Sequence, residues 1–349
     1  MAEQKTYPSQ FEKVKAITDQ LEAGIQALFE NDKFKQYLQT LSKFHDYSLN
    51  NTILIAMQKP DATLVAGYTA WKKQFGRQVQ KGETGIRILA PTPYKKKIEV
   101  DKTDPTTGEV MKNPDGTNAR ETKEVLMPAF KVVSVFDVSQ TDGKPLPSLG
   151  VSELTGDVAQ YETFFDALKK SCPVPIDFEQ IRGGAKGYFH TVENRIAIQE
   201  GMSQVQTVKT AIHEMAHQKL HSIDPSAKAD PLEPKLTRSS KEVEAESVAY
   251  TVCQHYGIDT SDYSFAYVAG WSAGKEMPEL KASLDKIRLA ANDMITRIDT
   301  HIQELAREAM HETWNSETKD SVLVDLQKKQ DAPAKKHFTK SKKSKEETR

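Results

Sequence analysis

The pattern His213-Glu214-Met215-Ala216-His217 constrains this chain more than any other stretch of it, because it carries chemistry only on a helix. At a spacing of four, both imidazoles fall on one helical face, one turn apart, and can reach a single cation from a rigid backbone. The periodicity predicts that helix from Ser203 to His221, with Val208, Ala211 and Ile212 forming the apolar face that buries it. Glu214 points slightly off the imidazole face. It can hold a water without taking a coordination position, accept its proton and pass it to a leaving amine, while zinc activates the water and polarises a scissile carbonyl. The bland alternative is a helix with surface histidines, His221 included, and the surroundings of the motif decide between the two. On the sharper reading Glu214 is catalytic, His213 and His217 bind Zn2+, and His221 stands behind them or on the surface.

A catalytic zinc site takes three protein ligands and leaves a position open. The two cysteines, Cys172 and Cys253, lack the paired spacing of a cysteine-rich zinc site, so both read as inert thiols and the third ligand is sought among carboxylates. A helix from Ser240 to Tyr256, stopped by Gly257, offers Glu242, Glu244 and Glu246. Glu242 and Glu246 share a face at i and i+4, whereas Glu244 is turned about 200° from Glu242. Glu242 is therefore expected as the third ligand and Glu246 as a group orienting a ligand imidazole through its other nitrogen, with Glu244 in solvent. Taken alone, the segment reads equally as three solvated acids on the first turns of a helix.

A chain of 349 residues exceeds what one compact core usually holds, which predicts an α+β fold in two domains with tails. No stretch approaches the ~20 apolar residues of a membrane span and the first residues lack a signal peptide's apolar core, so a cytoplasmic protein is expected. The first domain, residues 8–141, opens with amphipathic helices through Phe11–Leu28 and Phe34–Phe44, then a third capped by Ser48 and closed by Pro60. Strand patterns follow, interrupted at 95–123 by a Pro-, Gly-, Asp- and Thr-rich stretch read as a long hairpin tip. Residues 142–150 make a linker, 151–312 a second domain, and 313–349 a disordered charged tail. From Lys328 that tail holds nine Lys or Arg against three acids.

The net charge of -1 hides a second uneven stretch, Trp71 to Lys97, with eight Lys or Arg against the single acid Glu83. Lys72, Lys73, Arg77, Lys81 and Arg87 can meet backbone phosphates there while bases stack on Tyr68 and Trp71 without sequence preference. The alternative puts Trp71 and Phe75, four apart on a helix, in a core beneath solvated lysines. Asn50 and Asn51 are open in the same way, between bonding within a helix end and contact to sugar or phosphate.

HEMAH followed by EVEAESVAY resembles the ImmA/IrrE-like zincin metallopeptidases over roughly residues 151–256. That likeness implies a gluzincin-like fold with His213, His217 and Glu242 on metal positions, Glu214 on the catalytic one, and Glu246 where many relatives carry Asp or Asn. The stretch YSLNNTILIAMQKPDATLVAGYTAWKKQFGRQVQKGETGIRILAP, with the later VFDVSQT, is similar to the single-stranded-DNA-binding domain of ArdC antirestriction proteins, over roughly residues 8–141. Together the two resemble ArdC-like and LtrC-like proteins of conjugative elements. They imply a zinc peptidase that binds single-stranded DNA, acts on an unidentified protein substrate and serves a mobile element entering a new host. The competing expectation is a non-proteolytic DNA-binding or conjugation accessory in which the zincin fold is only structural.

Overall fold

A capping box starts the first helix, α1 (Gln10–Leu28): the Ser9 hydroxyl accepts the Glu12 amide while the Glu12 carboxylate accepts the Ser9 amide. α2 (Lys33–Lys43) and α3 (Leu49–Gln58) follow, and Ser48 caps α3 as its sequence predicts. The chain then turns to sheet through β1 (Val65–Gly67), α4 (Tyr68–Lys73) and β2 (Arg77–Val79), with Gly76 at φ 63° taking the left-handed turn between the last two. β3 (Ile86–Pro91), β4 (Tyr94–Asp101), β5 (Arg120–Met127), β6 (Phe130–Asp137) and β7 (Thr141–Gly143) complete this half. β6 lies between β1 and β3 in an antiparallel sheet, and β2 pairs with β7. β4 and β5 form a separate ladder from Tyr94 opposite Met127 to Asp101 opposite Arg120. The two flanks of the expected tip, 95–101 and 120–123, are thus regular strand, and residues 102–119 lie beyond the ladder. Residues expected to begin the linker are drawn into the fold as part of β7.

The second half contains α5 (Val158–Ser171), β8 (Ile176–Glu179), β9 (Gly187–His190), β10 (Arg195–Gln199), α6 (Gln204–His221), α7 (Arg238–His255), α8 (Val268–Ser272) and α9 (Met277–Gln330). Ser203 caps α6 and Thr237 caps α7 through their hydroxyls. β10 is central, parallel to β8 and antiparallel to β9, which leaves β9 as an edge strand. The structure, a computed structural model, describes residues 8–29, 32–146, 158–222, 237–265 and 268–330. The final helix runs to Gln330, past residue 312 where the sequence suggests a tail: no Pro or Gly interrupts that stretch, and its last residues, Leu326 to Gln330, favour helix. Residues 331–349 lie outside the described residues, as does 147–157, the rest of the expected linker.

The expectation of two separately cored domains is not what the packing shows. One apolar cluster runs from Leu21, Ile25, Phe34 and Leu38 of α1 and α2 into Val248 and Val252 of α7 and Ile287 and Ile295 of α9. Phe34 packs edge-on against both Phe265 and Trp271. His45 Nδ1 lies 2.7 Å from Asn292 Oδ1, and His255 Nδ1 lies 2.8 Å from the Ser42 carbonyl. A smaller cluster of Phe44, Ile55, Val65, Ile86, Ile88 and Val135 fills the space under the first sheet. Mixed helix and strand holds as the class, and no helix among the described residues is long and apolar enough to cross a membrane.

Candidate metal centre

α6 is buried along Val208, Ala211, Ile212 and Met215, which turns His213 and His217 toward a cleft between α6, α7 and β9. His213 Nε2 and His217 Nε2 lie 3.1 Å apart, and Glu242 Oε2 of α7 lies 3.7 Å from the first and 3.4 Å from the second. Ligands held 2.0–2.1 Å from a tetrahedral zinc stand about 3.3 Å from one another. These three separations straddle that edge length, and the two-imidazole, one-carboxylate donor set suits zinc's borderline softness. Among the described residues His213, His217 and Glu242 form the one group of three or more such side chains able to hold a metal ion.

Hydrogen bonding to the two imidazoles holds the Glu242 carboxyl far below the usual carboxylate range. Burial opposes charge on His213, but the carboxylates of Glu242, Glu214 and Glu246 outweigh it and raise its pKa. Glu214 is 7% exposed, and burial pushes its carboxyl up against the opposing pull of both imidazoles and the Phe189 backbone. It stands on the wall shared by two clefts. One, of about 590 Å³, is lined by Tyr188, Phe189, His217 and Glu242; the other, of about 440 Å³, by Lys209, Glu246 and Asp262. β9 crosses the site closely because Gly187 has no side chain: a Cβ there would lie 2.5 Å from Thr210 Cγ2 and 3.3 Å from Glu214 Cγ.

Two acids of α7 differ from expectation. Glu244, expected in solvent, is 2% exposed, and its Oε2 lies 3.1 Å from both His221 Nε2 and Lys286 Nζ of α9. α7 packs against α2, α6 and α9, so the face opposite Glu242 is interior rather than solvent. Glu246 lies in the smaller cleft and interacts electrostatically with His213. The His217 nitrogen facing away from the centre instead meets His221, Nδ1 to Nδ1 at 3.2 Å.

The expected nucleic-acid contacts divide. Trp71 is fully buried, its indole N–H donating to the Phe136 carbonyl at 2.8 Å, so it belongs to the core. The Arg77 guanidinium is spent on the chain itself, donating to the Thr141 hydroxyl and to the Thr141, Gly143 and Lys144 carbonyls, which ties β2 to β7. Asn51 also serves the fold, its amide clamping the Leu89 backbone in both directions. Tyr68, Lys72, Lys73, Lys81 and Arg87 are exposed, as is Asn50. The Tyr68 ring stands edge-on to Phe136, 6.2 Å between centroids. Phe136, half-buried, was not legible as the partner of Tyr68, since the strand pattern does not say which ring covers it. A signal was available in Gly85, whose missing side chain makes room for the Phe136 ring.

Residues 10–136 match the family described as the N-terminal domain of the anti-restriction factor ArdC. The match defines the class of the first half: an ArdC N-terminal domain. Over an aligned length of 327 residues the chain is 27% identical to the uncharacterized protein pXO2-81 of Bacillus anthracis, with 85% of this chain and 53% of that one covered. It thus spans about half the length of that curated relative. The antirestriction ArdC protein from the R388 plasmid, solved metal-free, is 23% identical with a TM-score of 0.42, covering 75% of this chain and 86% of that one. Its Mn(II)-bound structure is 19% identical with a TM-score of 0.45, covering 83% and 96%.

Proposed function

We propose that the chain is a zinc-dependent metallopeptidase that binds single-stranded DNA and serves antirestriction, the protection of a mobile element's incoming DNA. The observation that carries the peptidase reading is the convergence of His213, His217 and Glu242 on one point, with Glu214 buried beside it at the cleft wall. Zinc held by those three residues supplies Lewis acidity toward a scissile carbonyl. The free edge of β9 can align an extended peptide by strand addition, with Gly187 bringing the backbone close to Glu214. Glu214 takes the proton of an attacking water and returns it to the leaving amine, and its raised pKa brings it nearer the operating pH of such a shuttle. Support for the DNA reading comes from the family of the first half and from the exposed Tyr68 beside Lys72, Lys73, Lys81 and Arg87.

Metal analysis and proteolysis test the central part. The purified chain is expected to hold about one equivalent of zinc, and His213→Ala to lose it. Glu214→Gln is expected to keep zinc and fold while abolishing cleavage of an unfolded protein substrate cut by the wild type. Full zinc content in both His213→Ala and His217→Ala removes the centre; undiminished cleavage by Glu214→Gln removes the mechanism.

A further inference from the structure

We infer that Glu244 is a positioning residue for the metal ligand His217, acting through His221 and anchored to α9 by Lys286. The inference rests on the metal reading above, and follows from hydrogen-bond directions that leave little freedom. With His217 Nε2 turned to the centre, a neutral imidazole giving its Nε2 lone pair to a metal carries its proton on Nδ1. That Nδ1 lies 3.2 Å from His221 Nδ1, so His221 must accept there and carry its own proton on Nε2. His221 Nε2 then donates to Glu244 Oε2 at 3.1 Å, and Lys286 Nζ donates to the same oxygen at 3.1 Å. The side chains of His221 and Glu244 are 5% and 2% exposed, so water competes little for the bond between them. The row runs one way, from His217 through His221 to Glu244. Reversing the His221 tautomer sets two N–H groups against each other at the 3.2 Å contact and favours the His217 tautomer with a proton on Nε2, where the metal binds.

An ion pair that merely fastened α6 and α9 to α7 would affect stability and leave the His221 tautomer and the zinc affinity alone. The test uses the full chain and zinc itself. A competitive chelator titration is expected to give 10–100-fold weaker zinc binding for both His221→Phe, which keeps the ring but removes both nitrogens, and Glu244→Gln. Lys286→Met, which leaves the row in place, is expected to change affinity less than either. In the zinc-loaded wild type, 15N chemical shifts of the imidazoles are expected to show His221 protonated at Nε2 and bare at Nδ1. That spectroscopic result needs no variant to fold. Wild-type affinity in both variants, or a His221 proton on Nδ1, overturns the inference while leaving the metal centre standing. A wild-type chain that binds no zinc overturns the metal reading, and this inference with it.

Discussion

Tyr68 and Trp71 stand one turn apart on α4, both aromatic and both beside lysines, yet one is 53% exposed and the other fully buried. Trp71→Ala is expected to cost about 3–5 kcal/mol of stability, through the emptied core volume and the orphaned Phe136 carbonyl. Tyr68→Ala should leave the melting temperature near that of the wild type and weaken single-stranded DNA binding by about 1–3 kcal/mol, the worth of one stacked base. Fluorescence anisotropy against single- and double-stranded oligonucleotides, paired with thermal melts, separates the two effects. Unchanged affinity in Tyr68→Ala moves the DNA surface elsewhere. Sequence could not sort this pair, because helical spacing states which residues share a face and not which neighbours cover it. Glu244 failed for the converse reason. Its angle from Glu242 was legible, but a helix enclosed by α2, α6 and α9 has no solvent face at that angle. The common face of His213 and His217 was legible from helical spacing, whereas Glu242 and Glu246 share a face in the sequence and only the distances single out Glu242.

At the level of elements, the helices declared themselves through caps and stops: Ser48 and Ser203 begin α3 and α6, and Gly257 follows α7 at φ 66°. In the hairpin of β9 and β10, Asn194 takes the left-handed conformation in the turn. Less legible was the division of the long hairpin into two ladders, which depends on the breaks at Thr92–Pro93 and Pro128–Ala129. The contact of β9 with α6 makes its own prediction. Gly187→Ala must push the strand away from Thr210 or Glu214 and is expected to cost about 1–3 kcal/mol by overpacking. Its zinc affinity should be preserved, because all three ligands lie on α6 and α7. Denaturant unfolding and a zinc titration on the same variant check this; loss of zinc would mean that the strand, and not only the helices, sets the ligand geometry.

Over the whole molecule, the shared core means that the two halves should unfold in a single transition. His255 sits at their junction, bonded to the Ser42 carbonyl, edge-on to His45 at 5.0 Å, with Asp299 3.9 Å from its other nitrogen. Burial, helped by the nearby His45, lowers its pKa against the opposing pull of the Ser42 carbonyl and of Asp299 and Asp46. The folded protein therefore binds this proton less readily than the unfolded chain. The stability it confers is complete above the unfolded value, near 6.5, and is lost as the pH falls through the lower folded one. Metal-free protein is expected to melt at lower temperature at pH 5 than at pH 7, with a smaller drop in His255→Asn. Equal slopes in the two proteins would exclude His255 as the source.

The continuity of that core also bears on how such a chain can be reassembled in evolution. Similarity to the ArdC N-terminal domain ends at residue 136, and the Pro- and Gly-rich stretch just beyond it looks like a natural seam for recombination. A crossover there would part Phe34 from Phe265 and Trp271, and His45 from Asn292, leaving a greasy face on each fragment. A hybrid gene inherits a workable protein only if the incoming partner supplies matching side chains at those positions. Gene shuffling at this seam is thus filtered by steric compatibility, and the two parts of the chain are bound to drift as a pair.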